Sequence, residues 1–413
     1  MEFYLVYETI FSLFYITICY KKNLNMDFEN TYTIDKKKKD GVFYTPPDMA
    51  DFMSSKSLCF DRGGIWFDPC CGLGILSIKL AQMQDDPVGF VSNRLVINDK
   101  DSDQLARAVS NFVEIFGVSP RVMNVDFLEA DIECDYIIMN PPYFKYGESD
   151  IYAYFIEKAC RISKGFISIN PISFTNGSKF RGTRSSILGF SSILMYHFDN
   201  IPGHIFDDAQ VRVSVIVAHN ESDERKTTTQ IRWQTKMRNQ MIASLDSRLD
   251  DGLFTEDIFY KTSPNTLHMV HGEQLKEYTV LDSEYCIYVV STPRYFITAS
   301  SSELDRTGQI RICMKDRVSW ERAMIMLNSS YLYWWWRTSD SSMSLTKTTL
   351  LSLPWVCFEY DSSVINDILE SECCNKVYKM NAGKRQENVK HPRDLVMRLN
   401  SIFTDERLID LQD

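Results

Sequence analysis

Residues 136–139 form a short, continuously apolar run that stops at Asn140-Pro141-Pro142-Tyr143. An apolar run of this length that ends at prolines predicts a buried strand, because proline cannot donate to a sheet ladder. The prolines also fix φ, so the turn after the strand is stiff and its carbonyls stay open to a ligand. The Asn140 side-chain oxygen and the Pro141 carbonyl can each accept a hydrogen from a planar amino group, and Tyr143 offers a ring for stacking. Asn-Pro-Pro also occurs in ordinary turns, so the motif needs support from the rest of the chain.

A second apolar strand, residues 64–68, runs into a glycine-containing turn. Asp68 ends this strand, and Gly72 and Gly74 follow with Gly-x-Gly spacing before a helical pattern. Such glycines let the backbone approach a ligand at the carboxyl end of a parallel strand. The third glycine of the dinucleotide fingerprint and the Gly-Lys-Ser/Thr of a triphosphate loop are both missing, which favours a nucleoside without pyrophosphate.

Acids also occur in the next two units, with Asp99 at the end of the predicted strand 94–99 and Asp126 in the segment 125–128. Asp99 is suited to a ribose diol, although it could instead be a solvated strand end or cap the next helix. Asp126 offers an acceptor to an adenine amino group, and Phe127 offers an apolar face to the ring. Together with Asn140, these residues predict one pocket with a nucleoside-binding half and an amino-binding half.

These motifs, together with residues 41–53, resemble the S-adenosylmethionine-dependent DNA adenine-N6 methyltransferases of the gamma class. The resemblance covers residues 41–220 well and the remainder loosely. It implies an α/β fold, a Rossmann-like class I methyltransferase sheet with helices on both faces. A carboxy-terminal α+β target-recognition domain is implied to follow this sheet.

The resemblance also implies a role for individual residues. It assigns the methionine carboxylate of S-adenosyl-L-methionine to Thr45, the ribose to Asp99, and the cofactor's adenine to Asp126 and Phe127. The implied cofactor-binding residues are Thr45, Asp68, Cys70, Gly72, Asp99, Asp126, Phe127 and Asn140. The implied catalytic residues are Asn140, Pro141, Pro142 and Tyr143.

A flipped adenine is implied to stack between Tyr143 and Phe206. Phe206 comes just before the predicted strand at residues 211–217, and a core aromatic at a loop end would suit the same position. Cys70 and Cys71 occupy loop positions that are often small non-sulfur residues in the family. Cysteine behaves there as a small apolar residue, so we expect no chemistry from either thiol.

Strands and helices alternate from residue 65 to residue 220, which predicts a mostly parallel sheet. Helices are expected at 102–116 and 150–161, and strands at 166–170, 193–198 and 211–218, with an antiparallel edge hairpin implied by the resemblance. The polar stretch at 221–229 shows no periodicity and is taken as a boundary. We therefore predict an amino-terminal extension at 1–40, a cofactor-binding catalytic domain at 41–221 and a DNA target-recognition domain at 228–413.

The second half of the chain contains short strand patterns at 285–291 and 309–314 and a helix around 320–328. An aromatic run follows at 331–336, and we expect it in a hydrophobic core rather than stacked on bases. Arg337 and Lys347 are candidate DNA phosphate contacts.

The net charge of −10 argues against a protein that coats nucleic acid without specificity. A sequence-specific enzyme would then contact duplex DNA through a local cleft of Lys and Arg. The lysine block at 36–39 is either a solvated arm or a phosphate contact. The eleven cysteines are scattered without a zinc-type spacing, so we expect reduced thiols, no metal and a cytoplasmic setting. The resemblance implies that this setting is a microbial cell or a virus-infected host.

Residues 3–20 are largely apolar but include Glu8 and are short for a membrane span. We expect a non-native extension with translation starting at Met26, and a membrane anchor is the alternative. No membrane partner is predicted, and we expect a monomer.

The function implied by the resemblance is sequence-specific methylation of adenine N6 in double-stranded DNA, with base flipping, in a restriction-modification system. A separate cognate restriction endonuclease would then be a partner.

Two alternatives share the Asn-Pro-Pro-Tyr motif: RNA adenine-N6 methyltransferases and protein glutamine-N5 methyltransferases. A small amino-terminal helical domain or an RNA-binding module would favour these alternatives, whereas this chain has a long carboxy-terminal half. A non-catalytic DNA-binding subunit would lack pocket acids, and all three acids are present.

Overall fold

The computed structural model describes residues 43–207, 210–261, 272–293, 296–381 and 383–403. The predicted extension at 1–40, with its start at Met26 and its lysine block, lies outside the described residues. Within the described ranges, no helix is both long enough and apolar enough to cross a bilayer.

The amino-terminal unit is built on a sheet of nine strands, flanked by helices. Its helices are α1 (Pro47–Ser55), α2 (Ile75–Gln82), α3 (Pro87–Arg94), α4 (Ser102–Phe116), α5 (Ile151–Ile162), α6 (Arg181–Ile187) and α7 (Arg238–Ala243). Its strands are β1 (Trp66–Asp68), β2 (Leu95–Asn98), β3 (Arg121–Met123), β4 (Tyr136–Met139), β5 (Lys145–Tyr146), β6 (Ser149–Asp150), β7 (Gly165–Pro171), β8 (Ser192–Phe198), β9 (Val213–His219), β10 (Arg225–Ile231) and β11 (Asp250–Asp251). The order in the sheet is β11-β10-β8-β9-β7-β4-β1-β2-β3, and β5 and β6 form a separate ribbon.

The strands β3, β2, β1, β4 and β7 run parallel to one another. All residues of β2 and β4 are buried, as expected for parallel strands that are covered on both faces. After β1, the chain forms β2 and β3 on one side of that strand and then crosses to form β4 on its other side. Open α/β sheets bind ligands at such a switch point, beyond the carboxyl ends of the strands.

Helix α4 has the predicted bounds and begins at Asp101, whose side chain accepts from two backbone N–H groups of the first turn. Its buried stripe is centred on Leu105, Ala108 and Phe112. Val113, which the predicted stripe included, is 48% exposed because it lies about 100° around the helix from Phe112.

The predicted fold class is confirmed, with helices on both faces of a mostly parallel sheet. Two details of the prediction need correction. The antiparallel strand β9 lies between β7 and β8, and β10 continues the sheet in parallel with β8, so the antiparallel pair is not at an edge. The polar stretch taken as a boundary contributes β10, so the sheet extends past residue 221.

Strand β10 escaped detection because its buried residues are polar except for Ile231. Thr228 accepts a hydrogen bond from the His197 backbone N–H at 3.0 Å, and the Thr227 hydroxyl lies 3.0 Å from His197 Nε2. Both threonines are buried, and β-branched side chains suit a strand even without an apolar alternation.

The carboxy-terminal unit has a four-stranded antiparallel sheet in the order β12-β15-β13-β14. Its strands are β12 (Thr279–Val280), β13 (Cys286–Val290), β14 (Ala299–Ser300), β15 (Gln309–Met314), β16 (Lys376–Asn381) and β17 (Lys384–Val389). Its helices are α8 (Arg317–Asn328), α9 (Tyr331–Ser339), α10 (Lys347–Leu351), α11 (Ser363–Cys374) and α12 (Arg393–Phe403). The aromatic run 331–336 is at most 4% exposed, so its predicted place in a core is confirmed.

Cys286 and Cys313 face each other on β13 and β15 and form a disulfide, with their Cα atoms 4.1 Å apart. The expectation that all thiols are reduced is wrong for this pair. The pairing arises from strand register, since the two cysteines are 27 residues apart in the chain.

A buried ion cluster joins the two units. Asp199, just after β8, is fully buried and contacts Arg212, Arg232 and Arg337 at 3.0, 2.7 and 2.9 Å. Arg337 comes from α9, so the carboxylate links the carboxy-terminal unit to the central sheet. Arg337 is only 6% exposed. It therefore does not lie at the surface, where a contact to a DNA phosphate would have to be.

Candidate active site

A cavity of about 650 Å³ lies beyond the carboxyl ends of β1, β2 and β4. Its size is within the range of small-molecule and cofactor sites. The predicted residues that line it are Thr45, Cys70, Gly72, Asp99, Asp126, Phe127, Asn140 and Pro142. Asp68, Pro141, Tyr143 and Phe206 do not line it.

Asn140 directly follows β4, and its side-chain orientation is set by two hydrogen bonds. Its Nδ2 donates to the Phe43 carbonyl at 2.7 Å and to Thr45 Oγ1 at 3.1 Å. A backbone carbonyl only accepts, so the amide nitrogen must be the atom that faces Phe43. Both amide hydrogens are thereby used within the protein, which leaves the Oδ1 oxygen as the acceptor for a ligand.

Tyr143 is held by its hydroxyl, which donates to the Ile169 carbonyl at 3.0 Å. Burial raises the pKa of this phenol well above its ordinary value, so it stays neutral. The fixed ring can therefore act as a stacking surface, and the hydroxyl is committed to β7.

Phe206 is 1% exposed, and its ring centroid is 6.0 Å from that of Tyr143 at an interplanar angle of 72°. Phe43 contacts both rings, with centroid distances of 5.4 Å to Tyr143 and 5.8 Å to Phe206. A flat base between two parallel rings needs a separation of about 7 Å, because each contact is at least ~3.5 Å. The structure brings Phe206 to Tyr143, as the resemblance implied, but the three rings are packed together without a base-sized gap.

The turn after β1 is shaped by two left-handed glycines, Gly72 with φ +54° and Gly74 with φ +86°. A side chain at Gly74 would meet Phe112 of α4 at 3.2 Å, so the glycine also permits close packing of this helix. Burial raises the pKa of the Cys70 and Cys71 thiols well above their ordinary value. Both therefore remain protonated, in line with the expected lack of chemistry.

Asp68 lies behind this turn instead of in the cavity wall. It is 1% exposed and accepts from the Ser77 hydroxyl at 2.6 Å and from the Cys70 backbone N–H at 3.3 Å. Burial raises its pKa to about 7, against the lowering effect of these two hydrogen bonds. Asp68 thus positions the turn, whereas the resemblance implied a contact with the cofactor.

Asp99 is oriented by the same turn. Its two oxygens accept from the backbone N–H groups of Gly72 at 2.8 Å and Asp101 at 2.9 Å. Burial raises the pKa of this carboxyl, and the two backbone hydrogen bonds oppose that effect. The carboxylate is therefore prearranged at the cavity wall, where it can accept hydrogen bonds from hydroxyls.

Asp126 and Phe127 form the far side of the cavity. Asp126 pairs with the exposed Lys100 at 2.7 Å, and this contact lowers the pKa of the carboxyl. Phe127 is 2% exposed and packs under Lys158, whose Nζ is 4.9 Å from the ring centroid. Lys158 also donates to the carbonyls of Phe127 and Ala130, which fixes the segment that carries both predicted residues.

Several residues that build this site were not predicted from the sequence. Asn98 donates to the carbonyls of Pro69 and Val125 at 2.8 and 3.1 Å, so it ties two ligand-facing segments together. Asn98 is the polar last residue of an otherwise apolar strand, and this pattern could have indicated its role. Phe43 and Lys158 carried no comparable signal, because their contacts join segments that are distant in the chain. Lys347 is exposed at the start of α10, where the structure shows nothing that assigns it to DNA.

Comparisons with known proteins point to DNA modification enzymes. The chain is 25% identical to the modification methylase CviBIII of Paramecium bursaria Chlorella virus NC1A over 288 residues, covering 61% of this chain and 73% of that protein. It is 33% identical to the type II methyltransferase M.VspI of Vibrio sp. (strain 343) over 125 residues, which is 29% of each protein. No protein-family model matches the chain.

Among solved structures, a DrdV–DNA complex matches with a TM-score of 0.46 and 17% identity, covering 60% of this chain and 33% of that chain. By its two sequence matches, the chain resembles DNA methyltransferases of restriction-modification systems.

Proposed function

We propose that this protein is a DNA methyltransferase that transfers a methyl group from S-adenosyl-L-methionine to N6 of adenine in double-stranded DNA. The observation that carries the proposal is the orientation of Asn140, whose amide nitrogen is bound to Phe43 and Thr45 beside a cavity of nucleoside size. The similarity of the chain to modification methylases supports DNA as the substrate class.

The residues of the cavity fit S-adenosyl-L-methionine. Asp99 can accept from the two ribose hydroxyls, and Asp126 from an adenine amino group, while Phe127 offers an apolar face to the adenine ring. The acids also suit a ligand with a positively charged sulfur. When bound, this cofactor supplies an electrophilic methyl group on that sulfur.

The Asn-Pro-Pro-Tyr turn supplies the other half of the reaction. In a planar amino group the nitrogen lone pair is delocalised into the ring, so the nitrogen is a weak nucleophile. Acceptance of its two hydrogens by Asn140 Oδ1 and the Pro141 carbonyl returns electron density to that nitrogen. No strong base is needed, because the amino proton becomes acidic only as the nitrogen–carbon bond forms and the carbon–sulfur bond breaks, and it then passes to solvent water.

The target base must leave the duplex to reach Asn140. A paired adenine has its amino group inside the helix, and enzymes that act on such atoms rotate the base into a pocket. We infer that Tyr143 and Phe206 receive the flipped base, after Phe43 has moved out of contact with one of them. The tight packing of the three rings in this structure is then the closed state of the base pocket.

The proposal includes the cellular setting. We infer that the protein acts as a monomer in a restriction-modification system, alongside a separate restriction endonuclease. The cytoplasm of a microbial cell or of a virus-infected host is the expected location.

Incubation of the purified protein with labelled S-adenosyl-L-methionine and plasmid DNA tests the proposal. Label in the DNA, together with protection against a subset of restriction enzymes, is the expected result. Parallel incubations with RNA and with a protein that carries a glutamine substrate serve as comparisons. Label in RNA or protein alone would replace the proposal by one of the alternative substrate classes, and cofactor binding without transfer to any of them would favour a non-catalytic subunit.

A further inference from the structure

The segment from Lys376 to Arg393 is strongly basic in a chain of net charge −10. It holds six basic residues and one acid, Glu387, which gives it a local charge of +5. The six basic residues are Lys376, Lys379, Lys384, Arg385, Lys390 and Arg393. An acidic protein that binds a polyanion must concentrate its positive charge locally, so this segment is a strong candidate for the contact surface.

Strands β16 and β17 form a two-stranded hairpin within this segment, which we call the basic hairpin (residues 376–381 and 384–389). Met380 is paired with Arg385 and Tyr378 with Glu387, so Tyr378, Met380 and Arg385 share one face. Lys379 and Lys384 lie on the other face by the same alternation. Both faces near the tip therefore carry positive charge.

The side chains near the tip are exposed. Tyr378 is 49% and Met380 is 69% exposed, and Lys379, Lys384 and Arg385 are all at the surface. The Arg385 guanidinium lies 3.8 Å from the centroid of the Tyr378 ring. Among the described residues, no carboxylate forms an ion pair with Lys379, Lys384 or Arg385, since Glu387 pairs with Lys376 at 2.9 Å.

The root of the basic hairpin is anchored to the loop between β14 and β15. Gln386 Oε1 accepts from the Thr307 backbone N–H at 3.0 Å, and Glu387 accepts from the Asp305 backbone N–H at 2.7 Å. Val389 is fully buried in a small cluster with Leu304. A hairpin that is fixed at its root holds its exposed charges in a defined place, which lowers the entropic cost of binding.

We propose that the basic hairpin contacts the phosphate backbone of duplex DNA through Lys379, Lys384 and Arg385. This inference rests on the proposed function and assigns its DNA contact to a particular element. A two-stranded ribbon has dimensions that the major groove admits, and cations on both faces can reach the phosphates on either side. The Tyr378 ring packs against the Arg385 guanidinium and so restricts the orientation of this cation.

The test compares two variants that each lose three positive charges. In K379Q/K384Q/R385Q the side chains of the basic hairpin keep most of their length but lose their charge. The matched control R107Q/R121Q/K236Q removes three exposed basic residues from the amino-terminal unit. Each protein is titrated with a labelled DNA duplex of mixed sequence over a series of salt concentrations, and S-adenosyl-L-methionine binding and the thermal unfolding midpoint are measured in parallel.

Loss of three phosphate contacts should flatten the slope of log K against log salt by about 3 and weaken binding at physiological salt by about tenfold or more. Cofactor affinity and thermal midpoint should stay at the wild-type values, and the control should bind DNA almost as tightly as wild type. A hairpin variant with wild-type DNA affinity and salt slope would overturn the inference, and so would equal losses in the hairpin variant and the control. Wild-type protein that binds cofactor but neither binds nor methylates duplex DNA would contradict the proposed function itself, a result distinct from failure of the hairpin alone.

Discussion

The side-chain nitrogen of Asn140 lies 2.7 Å from the carbonyl oxygen of Phe43, a residue 97 positions earlier in the chain. The segment before α1 therefore orients the first residue of the Asn-Pro-Pro-Tyr turn. Because Phe43 also packs against Tyr143 and Phe206, the same residue links the orientation of the amide to the packing of the aromatic rings.

Replacement of Asn140 by Asp should remove this orientation with almost no change in shape. A carboxylate has no N–H to donate, so it would place an acceptor against the Phe43 carbonyl. We expect the rate of methyl transfer at saturating cofactor to fall about 100-fold or more, measured as initial incorporation of label into DNA. Asn93→Asp, at an exposed position on α3, is the matched control. A rate close to wild type for Asn140→Asp would show that the amide donors are not needed.

Asp99 should be required for cofactor affinity. Loss of a charge-assisted hydrogen bond costs about 1.5–3 kcal/mol, so Asp99→Ala should weaken S-adenosyl-L-methionine binding by about 10- to 100-fold in calorimetry. Asp99→Asn, which keeps an acceptor for the Gly72 N–H, should lose less. The exposed Asp103 on the adjacent helix provides the control, as Asp103→Ala. Unchanged affinity in Asp99→Ala would remove this carboxylate from the cofactor site.

Asp199→Ala should destabilise the fold strongly. The substitution leaves Arg212, Arg232 and Arg337 buried without their shared counter-charge, and breaking a buried ion pair on one side costs about 3–5 kcal/mol. Denaturant unfolding should show this loss, whereas Asp223→Ala on the surface should show almost none.

Burial alone would raise the pKa of Asp199, but the three arginines lower it to about 2. Its stabilising effect should therefore persist down to acidic pH, and equal stability of Asp199→Ala and wild type would contradict the role of the cluster.

Asp68 should make stability depend on pH in the opposite direction. Its pKa rises from 3.8 to about 7 on folding, so between these values the folded state holds a proton that the unfolded chain releases. The contribution of Asp68 to the free energy of unfolding is fully present below pH 3.8 and is lost as the pH rises to about 7. The unfolding free energy of Asp68→Asn relative to wild type should increase over this interval, by at most about 1.4 kcal/mol per pH unit, and then level off.

Denaturant unfolding of both proteins across the same pH range measures this difference. The titration of His197, whose pKa is lowered by burial, is present in both proteins and cancels in the comparison. A difference that stays constant with pH would show that folding does not raise the pKa of Asp68.

Local patterns predicted the parts of the fold that local forces decide. Helix α4 was predicted with its full bounds from its apolar period, although its cap is Asp101 and not Asp99, which had been considered for that role. The strand ends at Asp99 and Asn140 were predicted to meet because parallel strands place their carboxyl ends at one edge. The approximate bounds of β13 and β15 followed from apolar runs in the same way.

Contacts between distant segments were beyond such reasoning. Strand β10 is buried through threonines bonded to His197, and its polar sequence suggested a boundary. Arg337 looked like a surface cation because its partner Asp199 is far away in the chain. Asp68 had the right position next to the glycine turn, but only the folded geometry shows that it lies behind the turn and not in the cavity wall.

The nucleoside content of treated DNA shows whether this protein methylates adenine at N6. Plasmid DNA from a methylation-free source is incubated with S-adenosyl-L-methionine and either wild-type protein or Asn140→Ala, then digested to nucleosides and analysed by mass spectrometry. We expect N6-methyladenine with wild type and almost none with Asn140→Ala, which should still bind the cofactor. A methylated cytosine in place of adenine, or equal amounts of N6-methyladenine from both proteins, would rule out the proposed role of Asn140 in adenine methylation.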